Sequence, residues 1–92
     1  MLDLQHLHTF RVVTDTNSFT RAAAKLGCCQ STVTTHIMAL ERELGARLFV
    51  RDRSSKTVVL TEVGRRILHY AGRLLELAKE AKAAVRVVAS RK

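Results

Sequence analysis

Residues 18–44 contain two helix-forming segments that meet at a single glycine. Ser18 can cap the first segment, because a serine hydroxyl can accept a hydrogen bond from an amide of the first helical turn. Gly27 follows the first segment, where helices often end in a left-handed residue that glycine adopts without strain. The second segment begins near Gln30 and ends at Leu44. Two short helices joined by a tight turn containing glycine are typical of the helix-turn-helix motif.

The spacing of three residues in this region supports the motif. If Phe19 is counted as the first position, Ala23, Gly27 and Val33 occupy the fifth, ninth and fifteenth positions. A small residue allows the two helices to approach closely, the glycine makes the turn, and the branched residue holds the second helix against the first. Together these matches predict a helix-turn-helix over residues 19–44.

The second helix, at about residues 30–44, has two chemically different faces. One is an apolar stripe at steps of four, three and four, formed by Val33, Ile37, Leu40 and Leu44. The opposite face and the helix start carry short hydrogen-bonding groups and one cation: Gln30, Ser31, Thr32, Thr34, Thr35 and Arg42. Such a helix fits the major groove of DNA, where the first turns reach the base edges. A solvated, threonine-rich face is the alternative interpretation.

The charge of the chain favours an anionic partner. The net charge is +8 and the pI is about 10.5. The cations are concentrated in the second half, where residues 51–92 carry eleven Lys or Arg against four Asp or Glu. A basic surface indicates a polyanion, with nucleic acid ahead of an anionic membrane. The alternative is that the charge serves solubility alone.

A charged segment separates two short β-prone runs, residues 48–50 and 58–60. This pattern predicts a two-stranded wing at residues 50–57, in which the basic side chains approach the neighbouring DNA backbone or minor groove. A solvated edge that prevents strand pairing is the alternative. Together with Ser18 and Thr20 near the start of the first motif helix, the cations complete the predicted DNA-binding set: Arg51, Arg53 and Lys56.

A long final helix is predicted from Thr61, its cap, to about Ala89. It carries an apolar series at alternating steps of four and three, which indicates a coiled-coil seam. The predicted dimerisation residues are Ile67, Ala71, Leu74, Ala78, Ala81 and Val85, with Val88 continuing the series. Because so long a helix cannot bury itself on a three-helix core, self-association is favoured over packing within one chain.

The sequence also argues against several other functions. Cys28 and Cys29 lack the additional ligands of a zinc site, although a thiol- or metal-responsive repressor remains an alternative. No catalytic constellation or phosphate-binding glycine loop is recognisable, so we expect neither an enzyme nor a cofactor. The chain has no apolar run long enough to span a membrane and its first residues do not resemble a signal peptide, which predicts a cytoplasmic location. A helical interaction module with incidental charge is a further alternative.

From Leu4 to its end, the chain resembles the N-terminal DNA-binding domain of a LysR-type transcriptional regulator. The resemblance depends on a set of motifs distributed along the chain: Leu4-x-x-Leu7-x-x-Phe10, Ser18-Phe19-Thr20-Arg21-Ala22-Ala23, Leu26-Gly27-x-x-Gln30-Ser31-x-Val33-Thr34, Ile37-x-x-Leu40-Glu41-x-x-Leu44-Gly45-x-x-Leu48-Phe49-x-Arg51 and Leu60-Thr61-x-x-Gly64. One departure is Cys29, which stands where members often have a capping serine.

The resemblance implies a mainly α fold, a winged helix-turn-helix of three helices and a two-stranded wing in residues 1–60. It implies that residues 61–92 form a linker helix that dimerises the domain on an interrupted palindrome, with a tetramer possible in a full-length protein. Residues matching Gln30, Ser31, Thr34 and Thr35 would enter the major groove, and Arg53 would approach the minor groove. Full-length members carry a C-terminal effector-binding domain, which this chain lacks.

Overall fold

A computed structural model describes residues 2–50 and 57–91 of the chain. This part of the chain contains four α-helices: α1 (Leu4–Thr16), α2 (Phe19–Leu26), α3 (Gln30–Leu44) and α4 (Glu62–Ala89). The two motif helices and the long final helix are thereby confirmed, as is the third domain helix that the resemblance implied. None of the helices in the described ranges is long and apolar enough to cross a membrane.

The helix starts are defined by side-chain caps in three cases out of four. Asp3 Oδ1 accepts from the amide of Gln5 at 2.8 Å, and Ser18 Oγ accepts from the amide of Arg21 at 3.1 Å. Thr61 Oγ1 accepts from the amide of Gly64 at 3.0 Å. The caps predicted at Ser18 and Thr61 are therefore confirmed. The fourth start, at Cys29, has no side-chain capping bond.

The hydrophobic core lies where α1, α2 and α3 meet, and α4 packs against α1. Phe49 joins the segment after α3 to this core, since its ring lies 5.4 Å from Phe10 and 5.6 Å from Phe19 between centroids. Every element contributes to the buried set, which is Leu7, Phe10, Val12, Val13, Ala22, Ala23, Val33, Ile37, Leu40, Leu48, Phe49 and Ala71. The buried stripe on α3 fixes the direction of its other face.

The turn between α2 and α3 has the predicted geometry. Gly27 has φ 69° and ψ 36°, in the left-handed region, and its amide bonds to the carbonyls at the end of α2. The amide of Cys28 donates to the carbonyl of Ala23 at 3.0 Å, which closes the turn. Ala23 itself is buried between the helices, as the motif requires.

The two-stranded wing is not present in the described residues. Residues 48–50 and 58–60 meet at one isolated antiparallel bridge, between Phe49 and Leu60. The amide of Val50 donates to the carbonyl of Val59 at 2.8 Å. Pairing of this extent is too short to form a ladder, so the β-prone composition of both runs does not produce strands here. The basic residues predicted for the wing tip, Arg51, Arg53 and Lys56, lie outside the described residues.

A compact junction connects the end of α3 to the start of α4. Glu41 Oε2 accepts from the amide of Leu48 at 2.8 Å, and the carbonyl of Leu48 accepts from the amide of Thr61 at 2.9 Å. The hydroxyl of Thr61 also donates to the carbonyl of Arg47 at 2.6 Å. These three bonds connect the end of α3 to the residue that caps α4.

Candidate nucleic-acid interface

The outward face of α3 is exposed in the way that major-groove binding requires. Val33, Ile37 and Leu40 are buried and hold α3 on the core. Most of the predicted recognition residues are exposed, with only Thr32 partly buried: Gln30, Ser31, Thr34, Thr35 and Arg42. The apolar side of α3 is thus used for packing, while its polar side is open to a partner.

His36 lies at the border between these two faces of α3. Its Nδ1 is 2.8 Å from Oγ1 of the buried Thr9, and its ring lies 4.8 Å from the ring of His6. These contacts connect α3 to α1. His36 therefore contributes to packing between α3 and α1.

The first turn of α3 can receive an anion. Cys29 is extended, with φ −78° and ψ 152°, and its thiol makes no capping bond. The first amides of a helix lack partners within the helix, and together with the helix dipole they attract phosphate. The missing side-chain cap therefore leaves this end of α3 open to a phosphate group.

A hydrogen bond joins α2 to the start of α3 across the motif. The Thr20 hydroxyl donates to Gln30 Oε1 at 3.1 Å, and both residues are exposed. Sequence reasoning placed both residues in the DNA-binding set but missed their contact. No periodicity rule connects residues ten positions apart on different helices, so the sequence contained no signal for this bond.

The other hydroxyls of the interface are differently engaged. Ser18 Oγ accepts from the amide of Arg21, so it orders the start of α2. The Thr35 hydroxyl donates to the carbonyl of Ser31, one turn earlier, at 2.9 Å. Its donor is used inside α3, which leaves the methyl group and the oxygen lone pairs of Thr35 to face outward.

A second contact missed by sequence reasoning anchors the segment that follows the predicted wing. Asn17 ends α1 in the left-handed conformation, with φ 56°. Its Oδ1 accepts from the amide of Val58 at 3.0 Å. Asparagine tolerates the left-handed region better than most residues, so Asn17 was identifiable as a helix end but not as an anchor.

The predicted dimer seam on α4 is divided between two surfaces. Ala71 is fully buried in the chain's own core and Ile67 packs partly against it. Ala78 lines a groove between α4 and α1 together with Leu4 and Val12. These three residues thus face the rest of their own chain, because α1 packs against that side of α4. The remaining predicted residues are exposed: Leu74, Ala81 and Val85, with Val88.

The structure reveals a neighbouring apolar stripe on α4 that no residue of the described body covers. Among its residues, Leu77 is 61% exposed and Tyr70 is 55% exposed. We name it the α4 stripe; its members follow steps of four, three, four, three and four, namely Tyr70, Leu74, Leu77, Ala81, Ala84 and Val88. The stripe shares three residues with the predicted seam and is rotated away from α1.

The two cysteines lie in different surroundings. Cys28 is partly buried and packs against the core, whereas Cys29 is exposed, and both thiols are free. Within residues 2–50 and 57–91, no three His, Cys, Asp or Glu side chains are grouped so that they could hold a metal ion. The geometry therefore gives the thiol- or metal-responsive alternative no added support.

Comparison with known proteins identifies the family. The model of the LysR family of bacterial regulatory helix-turn-helix proteins matches residues 4–65. The chain therefore belongs to this family.

Named relatives agree with this membership. A RuBisCO operon transcriptional regulator of Allochromatium vinosum is 43% identical over 70 residues, which are 76% of this chain and 22% of the relative. An uncharacterized HTH-type transcriptional regulator of Methanocaldococcus jannaschii is 39% identical over 85 residues, 92% of this chain and 28% of the relative. The chain thus spans less than a third of the length of these relatives.

Solved structures share the whole fold. The complex of the BenM DNA-binding domain with catB site 1 DNA is similar with a TM-score of 0.90 and 34% identity, covering 99% of each chain. The complex of the CbnR DNA-binding domain with DNA has a TM-score of 0.88 and 31% identity, covering 96% of this chain and 99% of the other. The mainly helical fold is therefore that of LysR-type DNA-binding domains.

Proposed function

We propose that this chain binds double-stranded DNA sequence-specifically and thereby regulates transcription. One observation carries the proposal: the N-terminal half of α3 presents exposed hydrogen-bonding side chains while its apolar side is fixed to the core. The similarity to chains solved in complex with DNA supports the same conclusion. The activity belongs in the cytoplasm and needs neither a cofactor nor an enzymatic step.

In this proposal α3 lies in the major groove and phosphates meet its first turn. Gln30 pairs with a base edge, since a glutamine amide can bond bidentately to adenine. Ser31 and Thr34 contribute short donors and acceptors, and Thr35 offers its methyl group to an apolar base edge. Short side chains allow the helix axis to approach the bases closely.

We extend the proposal to the wing at residues 50–57. Its flanks are joined to each other by the Phe49–Leu60 bridge, and the bond from Val58 to Asn17 connects one flank to the end of α1. Arg53 and its basic neighbours would then contact the backbone or the minor groove, where arginine is favoured in narrow A·T-rich segments. Arg53→Ala should weaken binding to all duplexes by a similar factor.

We propose further that residues 61–92 form a linker helix and dimerise the domain. The α4 stripe supports this because an exposed apolar row with coiled-coil spacing fits a second copy of the same helix. Two copies related by a two-fold axis would place two α3 helices on an interrupted palindrome. A full-length protein could assemble further through an effector-binding domain.

The salt dependence of duplex binding tests the proposal directly. Each neutralised phosphate contributes a slope of about 0.9 to the fall of log affinity with log salt concentration. A dimer with several phosphate contacts should therefore lose affinity steeply as salt rises. A flat response, or no duplex selected from a random pool, would instead favour a helical interaction module.

Gln30→Ala tests the recognition helix. The variant should lose about 1–3 kcal/mol on the selected site and discriminate less between bases at one position. Because the Gln30 side chain is exposed, the helical content of the variant should equal that of the wild type. Unchanged affinity and base preference would remove α3 from the interface.

A further inference from the structure

The bond between Thr20 and Gln30 restricts the amide that faces the DNA. Oε1 of Gln30 is 3.1 Å from the Thr20 hydroxyl, which donates to it. An amide oxygen has two lone pairs, and the amide nitrogen carries two donor hydrogens. One lone pair is thus used within the protein, and one lone pair and both hydrogens remain for a base.

The lone pair and the two hydrogens that remain on the Gln30 amide match the edge of adenine better than that of guanine. Adenine presents an acceptor at N7 and a donor at N6, which an amide can satisfy with one hydrogen and one lone pair. Guanine presents acceptors at N7 and O6, so the amide has to direct its NH2 group to both of them. That rotation moves Oε1 and breaks its bond to Thr20.

We propose that Thr20 determines base specificity by holding the Gln30 amide in the orientation that selects adenine. Thr20 is then a positioning residue that acts through Gln30, separately from any phosphate contact of its own. The inference rests on the proposed DNA binding and adds to it a base preference and the residue on α2 that sets it. Both residues are exposed, so Thr20 is free to act on the amide without a role in the core.

The experiment compares wild type, Thr20→Val and Thr20→Ser. Valine keeps the shape of threonine without the hydroxyl, and serine keeps the hydroxyl. Duplexes selected from a random pool by wild type give the site, and the position at which Gln30→Ala loses preference identifies the base pair that Gln30 contacts. Affinities are then measured for duplexes with adenine or guanine at that position.

We expect wild type to prefer adenine there. Thr20→Val should reduce the adenine-to-guanine ratio by about threefold to tenfold, the factor that one hydrogen bond contributes. Thr20→Ser should keep the ratio within about twofold of wild type. In a Gln30→Ala background, Thr20→Val should no longer change the ratio, because the effect requires the amide.

Three results would overturn the inference. If Thr20→Val weakened all duplexes equally and left the ratio unchanged, Thr20 would contact phosphate only. A preference for a base other than adenine, or an equal effect of Thr20→Val without Gln30, would also exclude the orienting role. If wild type selected no duplex at all, the proposed DNA binding would be wrong as well. The earlier three results would reject only the role of Thr20, so the two cases can be told apart.

Discussion

The two halves of α4 have opposite relations to the rest of the chain. In the first half, Gly64 and Ala71 are buried and the helix packs on α1. In the second half, residues 79–91 are exposed throughout, although they include Val85, Val87 and Val88. The first half is therefore stabilised by its own chain. Residues 79–91 bury no side chain against the described part of the chain, and a helix of this length is marginal without packing.

This difference separates stability from assembly along one helix. Substitutions in the first half should change the free energy of unfolding, because they disturb contacts that the chain makes with itself. Substitutions on the α4 stripe should change the association of two chains and leave each chain folded.

The largest effect is expected for Gly64→Ala. A Cβ at Gly64 would collide with the backbone oxygen of Leu48, which itself accepts a hydrogen bond from the amide of Thr61. Backbone cannot move aside as a flexible side chain can, so the junction has to open. We expect a loss of about 3 kcal/mol in the free energy of unfolding, at the upper end of overpacking costs, measured by urea denaturation.

Gly72→Ala is the matched control for this variant. An added Cβ at Gly72 meets nothing within 4 Å, and Gly72 lies in the same helix. Alanine should stabilise the helix there by about 0.5–1 kcal/mol, because glycine is a poor helix former. The two substitutions should thus change the free energy of unfolding in opposite directions. Equal losses of stability in both variants would show that the contact with Leu48 does not determine the result.

The next effect is a loss of dimerisation in Leu77→Asp. Leu77 is 61% exposed in the single chain, so aspartate there should leave the monomer folded. In a dimer it would bury a charge in an apolar contact, which is costly without a partner. We expect the dimer to weaken by more than about tenfold, or 1.4 kcal/mol, in analytical ultracentrifugation.

Two alanines provide a matched pair for the stripe. Ala81 belongs to the α4 stripe, whereas Ala83 is exposed on the other side of the same helix. Ala81→Asp should weaken the dimer and Ala83→Asp should not. Equal effects of the two variants, or a Leu77→Asp protein that remains fully dimeric, would exclude the stripe as the interface.

The sequence predicted the helices well because their signals are local. Ser18, Gly27 and Val33 each have a role that follows from their own position in the motif, and the structure confirms all three. The exposed face of α3 was predictable for the same reason, since the buried stripe determines the opposite side.

The sequence could not predict contacts between elements. The α4 stripe and the predicted seam both follow steps of four and three and share Leu74, Ala81 and Val88, so periodicity alone does not choose between them. The choice depends on which side of α4 faces α1, where Ala71 is buried. The predicted strands are not seen in the described residues for a related reason. β-prone composition at residues 48–50 and 58–60 does not by itself make the two runs pair, and they meet at one bridge.

The last comparison concerns the hydroxyls at the two ends of α4, where the smallest effect is expected for Ser90. The Thr61 hydroxyl accepts from the amide of Gly64 and donates to the carbonyl of Arg47. Ser90, at the far end, donates to the carbonyl of Val87, one turn earlier, at 3.0 Å. Thr61→Ala should therefore cost about 1–2 kcal/mol of unfolding free energy, and Thr61→Ser should restore most of it.

Ser90→Ala removes the same group from the exposed half and should change stability by less than about 0.5 kcal/mol. Denaturation at a protein concentration low enough to keep the chains monomeric measures both variants. If Ser90→Ala cost as much as Thr61→Ala, the second half of α4 would be coupled to the folded body. Since the bond from the Ser90 hydroxyl to Val87 stays within one helical turn, we expect the loss of this bond to affect that turn alone.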